Sequence, residues 1–444
     1  MRNIFLFLFL IPVVGSAQIG DITTVAGNGV AGYTGDMHLA TSAELDNPIY
    51  MNFDALGNLF IADAGNNVIR KLDVSGIITT VAGNGFGAGT SSGGYSGNSG
   101  AATDAELYSP TDIVIDASGN MFIADGGNNV IRKVNTSGII STIAGTGTSG
   151  YSGNGGAAIL ADFSPYGLTI DNIGNIYFTD GNNPSIRKIN TSGIITTIAG
   201  NGTVGNTGDN GPATAAKLHI PGGIAISASG NIYVTDWASH CVRKISAVGI
   251  ITTIAGNGTA GNTGDGDMAT SAELNAPNGV TVDDSENIYI SDNYANVIRK
   301  VNPEGIITTV AGNGTEGFSG DDGLPTSAQM DRPNCVAFNP SGNMFIVDAF
   351  NNRIRKITYH PEAVNNILNV QNITSIYPTP AHNEVTIKTT DKIKSVDIIN
   401  LIGQEIYNQS YSNVNSTDIA ISSFASGVYF VKVNGVYAAK FLKE

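Results

Sequence analysis

The sequence repeats one cassette six times, and this repetition constrains the fold more than any other feature. Each copy has a segment of the type G-N-(I/L/M)-(Y/F), an aspartate just after it, and an arginine in an I-R-K-like segment. Successive aspartates are 62, 55, 56, 56 and 56 residues apart, and the arginines keep the same spacing. Such a period predicts supersecondary units that bury their apolar faces against neighbouring copies. The aspartates are Asp63, Asp125, Asp180, Asp236, Asp292 and Asp348, and the arginines are Arg70, Arg132, Arg187, Arg243, Arg299 and Arg355.

Within one repeat, residues 277–314, four short runs are rich in Val, Ile, Thr and Tyr. Gly, Asn, Asp and Pro turns separate them, which is typical of an antiparallel meander. Six four-stranded units of this length predict an all-β fold, a six-bladed β-propeller. The four runs are residues 280–282, 288–290, 297–301 and 306–310.

The phase of the repeats predicts how the ring closes. An I-T-T-V-A-G-N-G segment at residues 22–29 precedes the first cassette, whereas the sixth cassette ends at Ile357 without one. The N-terminal segment is therefore expected to supply the fourth strand of blade six. That pairing would remove two exposed sheet edges, which otherwise favour aggregation.

The cassettes resemble the NHL repeat in its bacterial T-V-A-G-N-G form. The shared pattern is P-x-x-(V/I)-x-(V/I/F)-D, then G-N-(I/L)-(Y/F)-(I/V)-x-D, then N-x-(I/V)-R-K-(V/I), and it covers residues 20–358. The resemblance implies a six-bladed propeller. Members of the family are mostly protein- or RNA-binding platforms and sensor domains, with a few lyases, so the fold alone selects no activity.

The two ends of the chain differ from the repeats. Residues 1–17 combine a basic start, an apolar run and a small-residue cleavage site, which predicts a signal peptide. The propeller is predicted over 18–358, a polar linker over 359–375, and a small C-terminal β-sandwich over 376–444. No other segment is long and apolar enough to predict a transmembrane helix.

The C-terminal region resembles the type A C-terminal sorting domain of the type IX secretion system of Bacteroidota. It carries Y-P-x-P-A at 377–381, G-Q at 403–404, G-V-Y-F-V at 427–431 and a basic end, while Thr379 departs from the usual Asn. The resemblance implies the type IX machinery as a partner and export across both membranes. It also implies removal of this domain and a mature protein at the cell surface or in the medium.

The charge of the chain bears on its partners, and the positions of its cysteines bear on disulfide formation. The net charge is −15 and lies mainly on the propeller, which disfavours nucleic acid because its phosphates would be repelled. Cys241 and Cys335 fall on different blades and at different depths, so both are predicted to be packing residues without a disulfide. We expect a monomer that binds an extracellular glycan or protein.

Function is expected on the face of the propeller that carries the long loops. The repeated Asp and Arg are interpreted as structural, with each Asp accepting turn N–H groups and each Arg pairing with a carboxylate. The long loops also contain Asp36, Asp209, Asp265 and Asp321, which are predicted to cap short helical turns. The alternative is a calcium site formed by Asp265 with Asp267 and by Asp321 with Asp322. Apart from that calcium alternative, no cofactor is expected.

Positions at which the blades differ are the most informative. Trp237, Tyr294 and Phe350 follow the strand-end aspartates of blades four to six, where other blades have Ala, Gly or Asn. With His240 and Tyr50 they predict a ligand-binding aromatic arc; the alternative is that each ring packs over its own loop. No catalytic residue is identified. A metal-dependent lyase or lactonase at the pore mouth and a purely structural surface protein stay open as alternatives.

Overall fold

The computed structural model describes residues 18–360, 373–400, 405–434 and 436–444. These residues form two compact units, Ile19–Tyr359 and a C-terminal unit that begins at His360. The predicted signal peptide, most of the predicted linker and the G-Q pair at 403–404 lie outside the described residues. No helix among the described residues is long and apolar enough to cross a membrane.

The first unit contains six antiparallel sheets, each with four main strands, and confirms the predicted six-bladed propeller. In blades one to five the strands follow in chain order from the inner to the outer edge. Blades one to three consist of β3 (Pro48–Phe53), β4 (Leu59–Asp63), β5 (Val68–Leu72) and β6 (Ile77–Ala82); β7 (Pro110–Ile115), β8 (Met121–Asp125), β9 (Val130–Val134) and β10 (Ile140–Ala144); and β11 (Pro165–Ile170), β12 (Ile176–Asp180), β13 (Ser185–Ile189) and β14 (Ile195–Ala199).

Blades four and five continue the pattern, and blades one and four each gain a two-residue outer strand. The strands are β16 (Pro221–Ile226), β17 (Ile232–Asp236), β18 (Cys241–Ile245) and β19 (Ile250–Ala255); β20 (Pro277–Val282), β21 (Ile288–Asp292), β22 (Val297–Val301) and β23 (Ile307–Ala311); and the outer strands β2 (His38–Leu39) and β15 (Gly211–Pro212).

Blade six is built from both ends of the propeller sequence, as predicted. β1 (Gln18–Ala26) pairs with β26 (Arg353–His360), which is followed inward by β25 (Met344–Asp348) and β24 (Pro333–Phe338). Ile22 is fully buried, and its N–H donates to Gly323 O at 3.0 Å. The Thr24 hydroxyl donates to Asp321 at 2.6 Å. The N-terminal strand therefore closes the ring.

Close packing of the inner strands explains their small residues. A Cβ atom added to Gly279 of blade five would lie 2.3 Å from Asn334 O of blade six, and one added to Gly167 would lie 2.7 Å from Gly222 O. Only glycine fits where neighbouring backbones approach so closely. The apolar core lies between adjacent blades: Tyr233 and Val242 of blade four cluster with Val280 of blade five, for example.

Short 3₁₀ helices occur in two repeated places on the propeller. One set lies in the long loop before the inner strand, and the other directly follows the second strand in every blade except blade three. The first set is Ala40–Ser42, Ala102–Asp104, Ala158–Leu160, Ala213–Ala215, Ala269–Ser271 and Pro325–Ser327. The second set is Ala64–Asn66, Gly126–Asn128, Trp237–Ser239, Asn293–Ala295 and Ala349–Asn351.

The C-terminal unit is a five-stranded antiparallel sheet with its own apolar core. The first half of its long second strand pairs with the first strand and the second half with the fourth, so the sheet passes around that core. The predicted small β-sandwich is thus observed as one sheet enclosing a single cluster. Its strands are β27 (Ile373–Tyr377), β28 (Glu384–Asn400), β29 (Glu405–Ala420), β30 (Gly427–Val433) and β31 (Val436–Lys443).

Candidate functional site

Each repeated arginine is fully buried beside the equally buried aspartate of the same blade. In blade one, Arg70 Nη1 lies 3.5 Å from Asp63 Oδ2, and Asp63 Oδ1 accepts the N–H of Asp46 at 2.8 Å. The other five aspartates likewise accept backbone N–H groups at the entry to their inner strands. The backbone donors thus lie in the long loops and not, as predicted, in the turns, and these contacts agree with a structural role for both repeated residues.

Burial raises the pKa of the aspartates in these pairs. It raises the pKa of Asp63 to about 7, although Asn66, the Asp46 N–H and Arg70 act in the opposite direction. Burial likewise raises the pKa of Asp292 to about 7, against the Asn275 N–H and Arg299. A carboxyl held in this way is a structural group rather than an accessible one.

The loop aspartates pair with the buried arginines instead of capping helical turns. Asp265 Oδ1 accepts from Arg299 Nη2 at 2.7 Å, and its Oδ2 accepts the N–H of Thr309 at 2.9 Å. The capping interpretation is wrong, because none of these 3₁₀ turns has a side-chain cap. A buried guanidinium attracts a carboxylate more strongly than a neutral N–H group does. The remaining pairs are Arg70–Asp36, Arg243–Asp209 and Arg355–Asp321, at 2.8, 2.5 and 2.6 Å.

The suggested calcium site does not fit this arrangement. Both carboxylate oxygens of Asp265 and of Asp321 already accept from an arginine and from a backbone N–H. Asp267 and Asp322 are exposed beside them. Within the described residues, no group of three or more His, Cys, Asp or Glu side chains is arranged to hold a metal ion.

Tyr50 lies in the central channel and not on the surface. Only 5% of it is exposed, and its hydroxyl donates to Asn278 O of blade five at 2.8 Å, across the ring. Its ring meets the ring of Tyr166 edge to face at 5.9 Å. The expectation that Tyr50 extends the aromatic arc is therefore wrong. It belongs to an inner strand, where its hydroxyl finds a buried acceptor.

Asp112 is a second buried polar group in the channel. Its carboxylate accepts the N–H groups of Ile113 at 2.7 Å and of Leu168, in blade three, at 2.6 Å. Burial raises its pKa to about 8, against the effect of those two donors. The Asp112 contacts join blades two and three, as the Tyr50 contact joins blades one and five.

Three of the predicted residues form one continuous surface with a fourth that the sequence analysis missed. The Trp237 and Tyr294 rings lie 5.9 Å apart, tilted by 60°. The guanidinium carbon of Arg332 lies 4.6 Å from the Tyr294 ring centre and 4.3 Å from that of Phe350. Tyr294 and Phe350 are 42% and 50% exposed, and Trp237 is partly buried. We call these four residues the aromatic–arginine row.

Arg332 occupies the position just before the proline that opens each inner strand. Its backbone is left-handed, with φ 51°, and its N–H donates to Asn296 Oδ1 of the preceding blade at 3.0 Å. The other blades have small or neutral residues there, so a comparison of the repeats at this position would have found it. Those residues are Asn47, Ser109, Ser164, Ile220 and Ala276.

His240 lies next to the row but already has a structural contact. Its Nδ1 accepts the N–H of Ala276 in blade five at 3.0 Å. Burial lowers its pKa, with His219 adding to the effect and Asp236 opposing it. Three asparagines at the same position accept N–H groups of the next blade in the same way. His240 therefore joins two blades, and a ligand contact would have to use Nε2.

Comparisons with known proteins agree with the architecture. The family model described as the Teneurin NHL domain matches residues 90–152, 146–207, 203–261 and 257–317. The model described as the Secretion system C-terminal sorting domain matches residues 375–443. Human teneurin-1 is 29% identical over 320 residues, which cover 65% of this chain and 11% of teneurin-1. The chain thus spans only a small part of that relative.

Solved structures show the same fold at low identity. A Bacteroides thetaiotaomicron protein of unknown function superposes with a TM-score of 0.57 at 18% identity, covering 76% of this chain and 75% of that one. An auxiliary nutrient binding protein from Bacteroides ovatus gives a TM-score of 0.55 at 18% identity, with 77% of each chain covered. At such identities the likeness concerns the fold alone.

Proposed function

The chain belongs to the NHL-repeat propeller family and carries a secretion-system sorting domain, and on this premise we propose that it is an exported recognition propeller. The sorting domain indicates type IX secretion to the cell surface or extracellular space. In this proposal the loop-rich face binds an extracellular glycan or protein. The aromatic–arginine row is the binding surface.

The observation that carries the proposal is that the row connects different blades. Trp237 of blade four contacts Tyr294 of blade five, and Arg332 of blade six bridges Tyr294 and Phe350. Rings that merely covered their own loops would not need to meet across blades. Partly exposed aromatic side chains in a continuous patch are typical of ligand-binding surfaces. They also supply much of the binding energy at interfaces.

The alternative of a metal-dependent lyase or lactonase at the pore mouth has less support. Within the described residues no set of ligating side chains is gathered for a metal. The channel is occupied by Tyr50, Tyr166 and Asn278, and each tyrosine hydroxyl donates to Asn278. The other alternative is a purely structural role, and a binding experiment distinguishes it from ligand recognition.

A screen of glycans and peptides with the full secreted chain tests the proposal. Nutrient polysaccharides belong in the panel because one fold neighbour is named an auxiliary nutrient binding protein. Phe350→Ala is expected to weaken binding by about 1–3 kcal/mol. Phe86→Ala is the matched control, since Phe86 is similarly exposed (55%) but outside the row. The proposal would be contradicted if the Phe350→Ala and Phe86→Ala variants bound the ligand with equal affinity. It would also be contradicted if no glycan and no peptide bound.

A further inference from the structure

Arg332 differs from the other arginines of the propeller in having no acceptor. The six repeated arginines pair with carboxylates or backbone oxygens, and Arg353 Nη2 donates to Asn28 O at 2.7 Å. Within the described residues, the guanidinium of Arg332 makes no hydrogen bond or ion pair and lies over the rings of Tyr294 and Phe350. The N–H donors of this planar group are thus positioned by the two rings but have no hydrogen-bond acceptor among the described residues.

The position of this guanidinium is fixed before any ligand arrives. Tyr294 and Phe350 lie on its two sides, at 4.6 and 4.3 Å. Its backbone is held in a left-handed conformation by the Asn296 contact, and arginine adopts that conformation less readily than asparagine. A fixed, planar fork of donors matches a carboxylate through two parallel hydrogen bonds.

The surrounding charges limit how acidic the ligand can be. The chain has a net charge of −15. Asp331 lies beside Arg332, and burial and Glu316 raise the Asp331 pKa while Arg332 lowers it. A densely charged polymer would be repelled by this field, whereas a neutral chain with an occasional carboxylate would be repelled much less. The row therefore favours a sparsely acidic ligand.

The shape of the surface favours a sugar over a peptide. Peptides are commonly held by an exposed sheet edge or by an apolar groove. The row instead consists of ring faces at the ends of second strands, with one ion-pairing group between two of them. Aromatic faces next to a hydrogen-bonding group suit the apolar face of a sugar ring and its polar rim.

We infer that the row binds a sparsely acidic polysaccharide, with the carboxylate of a uronic acid residue on Arg332 and neighbouring sugars on Tyr294 and Trp237. This inference rests on the proposed function, since it specifies the ligand class of the same surface. A suitable variant is Arg332→Asn, because blade one has an asparagine, Asn47, at the equivalent position. Asparagine tolerates the left-handed backbone that this position requires.

The experiment measures binding of the full secreted chain to glucuronoxylan and to a highly methyl-esterified pectin, both of which carry only occasional carboxylates, each beside its carboxyl-reduced counterpart. We expect at least one acidic form to bind about tenfold more tightly than its reduced form. Arg332→Asn should remove this preference without changing the melting temperature. Arg332→Lys should retain part of it, because lysine keeps the charge but loses the fork. Affinity for the reduced form, measured in all three proteins, should fall less than affinity for the acidic form.

A preference that survives in Arg332→Asn, equal binding of both forms, or no binding of any glycan would overturn the inference. Binding that is sensitive to Phe350→Ala but limited to a peptide or to neutral glycans, with no preference for a carboxylate, would overturn it while leaving the proposed function intact. Loss of all binding to every probe would count against both.

Discussion

At the scale of residues, each blade has an aspartate at the end of its second strand and an arginine in its third strand. The buried aspartate and arginine recur in all six blades and form an ion pair in five of them. Both residues were predicted to be structural because they recur. The loop aspartates were interpreted wrongly as helix caps, because the sequence could not show that the arginine is fully buried and that its guanidinium reaches the long loop. Blades two and three have Asn98 and Asn154 where the other blades have that carboxylate.

This difference leads to a prediction about stability. Asn98 Oδ1 already accepts from Arg132 at 3.2 Å, so Asn98→Asp should create the ion pair seen in four other blades. We expect a gain of about 0.5 kcal/mol in the free energy of unfolding, since the site is exposed and screened by solvent. The reverse change, Asp265→Asn, should lower stability by a similar amount. Chemical denaturation measures both, and effects that do not shrink at high salt would contradict the electrostatic explanation.

Asp112 gives a prediction about pH. Burial raises its pKa from 3.8 to about 8, so the folded state holds this proton more tightly than the unfolded chain. The stabilisation is complete below about pH 4 and is lost as the pH rises to about 8, by at most about 1.4 kcal/mol per pH unit. The free energy of unfolding should therefore be compared between the wild type and Asp112→Asn at each pH. The value for the wild type minus the value for the variant should decrease as the pH rises from 5 to 8.5. Parallel curves for the two proteins would rule out the assignment.

At the scale of elements, short β-rich runs and turn residues were sufficient to predict the strands and their order. The spare N-terminal segment also predicted the closing strand, and β1 pairs with β26 as expected. Contacts across the ring could not be predicted in this way. Tyr50 reaches Asn278, 228 residues away, and nothing local in the sequence indicates that contact. Arg332 differs from its counterparts in the other repeats, but nothing local in the sequence indicates its contact with Tyr294 of blade five.

Ring closure can be tested within β1 by two adjacent substitutions. Ile22 is fully buried with Ile346 and Ile357 of blade six, whereas Asp21 is exposed. Ile22→Ala should lower the free energy of unfolding by about 2–5 kcal/mol, because it leaves a cavity in the closing blade. Asp21→Ala should change it by less than about 0.5 kcal/mol. If the two variants unfold alike, β1 does not hold the ring closed.

At the scale of the whole molecule, the two units have separate cores. The apolar cluster of the C-terminal unit contains only residues from Ile376 onward. The composition shift after the last repeat predicted a second region, and the motif resemblance predicted its sorting role. The domain boundaries 18–358, 359–375 and 376–444 stay predictions, as do the signal peptide and the monomeric state.

Removal of residues 376–444 should separate folding from export. We expect the propeller to keep its melting temperature, because none of its apolar clusters includes these residues. In the native host the shortened protein should accumulate in the periplasm, which cell fractionation would detect. Normal surface display would refute the sorting role, and a large fall in melting temperature would refute the independence of the propeller.

The central claim, that the aromatic–arginine row binds the ligand, is tested most directly by the fluorescence of Trp237, the only tryptophan in the chain. Trp237 is partly buried against Tyr294 at one end of the row. Acrylamide should quench its emission in the free protein, and saturating ligand should reduce that quenching and shift the emission. Phe350→Ala should raise the ligand concentration needed, whereas Phe86→Ala should not. Emission that is already blue-shifted and protected without ligand, or that is unchanged at saturation, would contradict the account.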